Sequence, residues 1–119
     1  MNKPENRTAA AATNLRVFDA IVVGAGFGGL YALHRLRKMG LSVRAYDGAE
    51  GVGGTWWWNR YPGARVDFPS APFYAYWFSE ELLNGWDWKE RQPDQAEVLA
   101  YLEYVADKLD LNRDIKLDT

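Results

Sequence analysis

At 119 residues the chain has room for about one domain, and 48% hydrophobic against 25% charged side chains describes a globular polypeptide rather than a disordered one. A net charge of −2 with no cluster of Lys and Arg argues against a nucleic-acid surface, and the lack of cysteine removes disulfide frameworks, thiolate metal sites and cysteine nucleophiles. One histidine is too few for a histidine-built metal centre, and no apolar run approaches the ~20 residues of a membrane helix, so neither a metal nor a membrane is expected and the default location is cytoplasmic.

Residues 1–16, MNKPENRTAAAATNLR, hold only a four-alanine apolar run, too short for a signal-peptide core, and are expected to form a flexible arm ahead of a domain over residues 17–119. Ile21, Val22 and Val23 then make a β-branched run that is apolar on both parities, which predicts a strand buried on both faces. GAGFGG follows. Gly24 permits a tight turn out of the strand, and Gly26 lets backbone approach a pyrophosphate with no Cβ in the way. Gly29 lets the next helix pack closely on the sheet, and Phe27 and Gly28 complete the candidate cofactor-binding turn. The helix N-terminus points free N–H groups and partial positive charge at the same place. Ala32, Leu33, Leu36 and Met39 give the helix an apolar stripe, Arg35, Arg37 and Lys38 suit its C-terminal end, and Gly40 is the expected stop. His34 lies within this helix and is expected on its flank, not in catalysis.

Residues 41–46 read as a second strand ending at Asp47, which lies 18 residues after Gly29 and 23 after Gly24. At that spacing a carboxylate can accept hydrogen bonds from ribose hydroxyls. The glycine pattern alone is weak; the order strand, turn, helix, strand, acid is what points to a dinucleotide.

Six Trp, seven Tyr and five Phe, most of them between Trp56 and Trp88, suit either a wall around a planar ring or an aromatic core. In GVGGTWWWNRYPGARVD, residues 51–67, Gly53 and Gly54 offer a second approach of backbone to a ligand, as a longer cofactor lying across the sheet could use. Asn59, Arg60 and Arg65 add donors, and Pro62-Gly63 marks a turn that brings them round. Asp67 follows Arg65 by two residues, on the same side of an extended chain, and is either a local ion-pair partner or a group at the edge of a flavin. A helix is predicted over residues 94–109, with Pro93 before it, Asp94 and Glu97 as a capping-box start, and Val98, Leu102, Val105 and Leu109 as its stripe. IKLDT then begins an alternating strand, Ile115 and Leu117 on one face, and is expected to have no partner in the sequence.

GAGFGG, an acid after the second strand and above all GGTWWWNRYPGARVD resemble the N-terminal FAD-binding region of Baeyer–Villiger monooxygenases, relatives of cyclohexanone and phenylacetone monooxygenase. The resemblance runs from about Phe18 through FSEEL and WDW to VADKLDL, nearly all the chain after the arm. Val66 stands where many relatives carry cysteine, and FPSAPFYAYWF, which holds Tyr74, is variable in such enzymes. The resemblance implies an α/β, Rossmann-like (βαβ) FAD-binding fold, incomplete here and belonging to the N-terminal part of a flavoprotein with two dinucleotide-binding domains. It also implies an NADPH- and O2-dependent oxidation of a small-molecule ketone to an ester or lactone. FAD and NADPH are then the cofactors, and the rest of the enzyme polypeptide is the partner.

By similarity Gly24, Gly26 and Gly29 take the FAD pyrophosphate and Asp47 takes the adenosine ribose. Gly54, Thr55 and Trp56 lie along the flavin, Asp67 sits by the isoalloxazine, and Tyr74 touches the cofactor. No catalytic residue is assigned. The second glycine-rich fold, the F-x-G-x-x-x-H-x-x-x-W-P fingerprint and the later arginine of the family do not occur in this sequence. The chain by itself is therefore expected to bind FAD weakly, if at all, and to show no oxygenase turnover. A sulfur- or nitrogen-oxygenating flavin monooxygenase and a non-catalytic dinucleotide-binding module are the alternatives.

Overall fold

Short apolar runs build a small parallel sheet that carries the long helices on one face. In the computed structural model, which describes residues 15–68 and 78–119, the order is β1 (Ala20–Val23), α1 (Phe27–Lys38), β2 (Val43–Tyr46), α2 (Thr55–Trp58), α3 (Glu80–Asn84), α4 (Gln95–Lys108), a 3-10 turn (Asn112–Asp114) and β3 (Ile115–Lys116). β2 is the middle strand. It pairs in parallel with β1 from Ala20↔Val43 to Val23↔Tyr46, and with β3 through Ala45↔Ile115 and Tyr46↔Lys116. The expectation that β3 has no partner is not met: its partner is β2, far upstream across α4, and parallel pairing requires such a crossover. The return is fixed by Leu111, fully buried, and by an Arg37–Asp114 ion pair at 3.5 Å that ties the 3-10 turn to α1.

The sheet's alternation decides which side is core. Val22, Val43 and Ala45 are buried against Leu30 and Leu33 of α1 and Val98, Tyr101, Leu102 and Val105 of α4. On the opposite face Ile21 is 52% and Val23 is 86% exposed. Burial of β1 on both faces, expected from its sequence, is therefore not found. Both long helices share one core on one side, while on the other Arg44 and Tyr46 are partly buried and Phe18 lies against Arg44. At the lower end of the sheet, Asp19 and Ser42 exchange backbone-to-side-chain bonds at 2.9 Å and pin the start of β1 to the approach to β2.

The helix boundaries follow local chemistry. α1 ends at Lys38, and Gly40, with φ +84°, turns the chain away. Met39 is consequently beyond the last helical turn and exposed, so the stripe runs through Leu30 and Leu33, with Ala32 and Leu36 partly buried. α4 starts where predicted, with the Asp94 carboxylate accepting from the Glu97 amide at 2.9 Å. The box is only half formed, because the Glu97 carboxylate accepts from the Lys89 amide at 2.9 Å instead of turning back to Asp94. α2 and α3 were not anticipated from periodicity; α3 has a legible cap in Ser79, whose hydroxyl accepts from the Leu82 amide.

Candidate functional site

The glycine turn and the acid of the second strand meet. Gly24 leaves β1 with φ +104° and donates to the Tyr46 carbonyl at 2.8 Å, which holds the mouth of the turn against the end of β2. Asp47 follows directly, and its Oδ2 accepts from the Ala25 amide at 2.7 Å while Oδ1 accepts from the Ala49 amide at 2.8 Å. The carboxylate is thereby fixed in direction between the glycine turn and the loop after β2. A Cβ on Gly29 would run into the Gly24 carbonyl, so this glycine allows α1 to start hard against the turn.

α1 differs from α3 and α4 at its N-terminus. Its N-cap is Gly26, which supplies no side-chain acceptor, and its first turn contains no acid. α3 and α4 have Ser79 and Asp94 as acceptors and carry Glu80, Glu81 and Glu97 in their first turns. Leu30 donates to the Gly26 carbonyl at 2.9 Å as the helix begins, so the amides of Phe27, Gly28 and Gly29 lie ahead of the intrahelical ladder. A Cβ on Gly28 would meet nothing within 4 Å. The start of α1 is therefore uncapped, electropositive and open.

A second glycine pair closes on the first. Gly53 donates to the Ala25 carbonyl at 2.9 Å, and a Cβ on Gly54, which has φ +57°, would stand 2.9 Å from the Gly26 Cα. Backbone thus passes over backbone, and α2 begins at once with exposed Thr55 and partly buried Trp56. Asp67 is placed differently. Its carbonyl accepts from Gln92 Nε2 at 2.8 Å, so it is held by the approach to α4 and not by the glycine turn. Arg65 reaches Glu90 at 3.4 Å and the Gln92 carbonyl at 3.0 Å, and the local Arg65–Asp67 ion pair is not formed. Tyr74 lies outside the described residues.

Two sets of aromatic residues stand out among the described residues. Phe27 stacks on Phe78 with centroids 6.2 Å apart, and Tyr101 packs with Trp88 at 4.8 Å and Trp86 at 5.4 Å; these are core. Burial and then the neighbouring Tyr104 push the Tyr101 hydroxyl up to about 12, which suits packing and not proton transfer. Trp58, Tyr61 and Phe68 are exposed and form the outward surface of the 55–68 segment. His34 sits on α1 as expected, held below its ordinary value first by burial and then by Lys38, Arg35 and Arg37. Sequence reasoning missed Gln92 and Gln95, whose partners are distant in the chain and leave no motif.

The residues present fit an adenine dinucleotide. The open start of α1 suits a diphosphate, and the glycine contact leaves no Cβ between turn and ligand. Each Asp47 oxygen keeps a lone pair for a ribose hydroxyl after accepting its amide.

Residues 22–84 match the family described as the NAD(P)-binding Rossmann-like domain. The chain is 59% identical over 103 residues to a Baeyer-Villiger monooxygenase of Pseudooceanicola batsensis, which covers 86% of this chain and 19% of that protein. It is 56% identical over 103 residues to a phenazine N-monooxygenase of Lysobacter antibioticus, with the same shares covered. It superposes on the crystal structure of OTEMO in complex with FAD and NADP with a TM-score of 0.79 and 36% identity, covering 86% of this chain and 19% of that one. The chain thus spans about a fifth of the length of the relatives it matches.

Proposed function

Since the chain belongs to the NAD(P)-binding Rossmann-like domain family and its close relatives are Baeyer–Villiger and other flavin monooxygenases, we propose that residues 17–119 form the FAD-binding part of an NADPH- and O2-dependent monooxygenase that converts a ketone to an ester or lactone. Bound FAD would supply the oxygen-activating redox chemistry, for which no side chain of this segment is a substitute. The chain's own part is to bind and orient. Amides at the start of α1, across Gly26, Phe27, Gly28 and Gly29, receive the diphosphate, with Gly24 shaping the turn. Asp47 receives the adenosine ribose. Gly54, Thr55 and Trp56 run along the flavin side, and Asp67 and Tyr74 are assigned to the flavin by the family resemblance.

One observation carries this reading: the Asp47 carboxylate stands 2.7 Å from the Ala25 amide, inside the glycine turn, already oriented by two backbone donors. Preorganisation of this kind lowers the cost of ordering the site on binding. Among the described residues no helix is long and apolar enough to cross a membrane, and a cytoplasmic location is part of the proposal.

Titration of the chain with FAD, followed by flavin fluorescence, tests it. Saturable but weak binding is expected, reduced about tenfold or more by Asp47→Ala, with no NADPH oxidation. No saturable change with FAD, or an affinity indifferent to Asp47→Ala, contradicts the assignment. A nitrogen-oxygenating reading is supported by the identity to a phenazine N-monooxygenase. Both chemistries can share one cofactor-binding geometry, so the oxidised product formed by the whole enzyme separates them.

A further inference from the structure

α2 is a single turn, and a helix of that length does not persist on its own propensity. Its carbonyls are taken from outside. The Thr55 carbonyl accepts from the Asn59 amide at 2.9 Å and from Asn59 Nδ2 at 2.8 Å, and the Trp57 carbonyl accepts from Arg60 Nε at 2.6 Å. Those donors are local and exposed. The Trp56 carbonyl is different: it accepts from Gln95 Nε2 at 2.5 Å, part-buried, from the first turn of α4 and 39 residues away.

Gln95 also uses its main chain on the same segment. Its amide, one of the donors that a helix start leaves free, goes to the Ala64 carbonyl at 2.9 Å. Beside it the Val66 amide donates to the Pro93 carbonyl at 3.1 Å, and Arg65 and Asp94 form an antiparallel bridge. Pro93 is fully buried, and Leu99, one turn along α4, lies where a Cβ on Gly53 would need to go. The first turn of α4 is thus a rail beneath residues 53–67, and Gln95 grips that segment at two points.

We propose that Gln95 is a positioning residue for the cofactor: it fixes α2, and through α2 the Gly54 backbone that lies on Gly26. This rests on the FAD-binding reading of the glycine turn. Without the Gln95 carboxamide, the Trp56 carbonyl is left half-buried with no donor, which favours unwinding of α2. Gly54 then loses its fixed placement on Gly26, and Thr55 and Trp56 theirs along the flavin side, while the sheet and α4 keep their own contacts.

The test is amide hydrogen exchange on the cofactor-free chain, paired with FAD titration. Gln95→Glu is nearly isosteric, keeps the main-chain bond to Ala64, places an acid where the α4 dipole favours one, and replaces the side-chain donor with a carboxylate that the Trp56 carbonyl repels. Expected is an increase of about tenfold or more in exchange at the Trp57, Trp58 and Asn59 amides with β1, β2 and the C-terminal half of α4 unchanged, and a similar weakening of FAD binding. Gln95→Ala keeps the test open should the glutamate variant not fold. Unchanged protection in α2, or a loss spread evenly over the chain, overturns the proposal. If the wild-type chain takes up no FAD, the cofactor reading fails on that arm, whereas the exchange arm still decides whether Gln95 holds α2.

Discussion

Gly28 and Gly29 are adjacent in the phosphate turn, yet their surroundings demand opposite responses to the same substitution. A methyl group on Gly28 enters open space, and its addition removes backbone freedom from the unfolded chain. Gly28→Ala should raise the unfolding free energy by about 0.5 kcal/mol. A methyl group on Gly29 would collide with the Gly24 carbonyl, and backbone cannot step aside as a flexible side chain can. Gly29→Ala should cost about 1–3 kcal/mol, the range for overpacking. Urea unfolding of the two variants reads both, and an equal effect would mean that α1 does not start against the turn as described. Of the residues at the site, Asp47 and the glycines of the turn were legible because their chemistry depends on short spacings along the chain. Gln95 was not, because its two partners belong to a different loop and a lone glutamine has no pattern.

α1 and α4 show how much of an element can be read in advance. α4 carries a cap, a Pro before it and a stripe at helical spacing, and its observed bounds fall within one residue of those expected. β1 and β2 were equally plain, as β-branched or alternating runs next to glycine. α2 was illegible, since a run of three tryptophans has no helical period and the turn is held by Asn59, Arg60 and Gln95 from outside. β3 was read as a strand, but its neighbour depends on topology. α1 concentrates its positive charge in its last turn, through Arg35, Arg37 and Lys38, with no acid at its start. His34, beside them and partly buried, is held below its ordinary value of 6.5 by burial first and by Lys38, Arg35 and Arg37 after it. The folded chain therefore binds fewer protons than the unfolded chain as the pH falls through that value. Stability should be full above it and decline as the pH drops from about 7 towards 5, and His34→Gln should remove this part of the decline. Urea midpoints across that range measure it; a variant with the wild-type slope would show that His34 is not the group responsible.

At the scale of the molecule, three parallel strands present one face packed by the long helices and one that exposes Ile21 and Val23. Sheets of this kind are covered on both sides in α/β proteins, and the relatives of this chain are about five times its length. The sequence of β1 records both-face burial, whereas the described residues cover only one face; that is why the strand was legible and its surroundings were not. Fold class followed from the order of elements, and function followed from the site that this order assembles. The central claim is that the glycine turn, Asp47 and the second glycine pair form one surface for an adenine dinucleotide. The most direct measurement is an amide chemical-shift map of the isotope-labelled chain titrated with FAD, which detects weak binding. Perturbations gathered at residues 25–29, 47–49 and 53–56 are expected. Perturbations gathered elsewhere, or none at millimolar FAD, would contradict the claim.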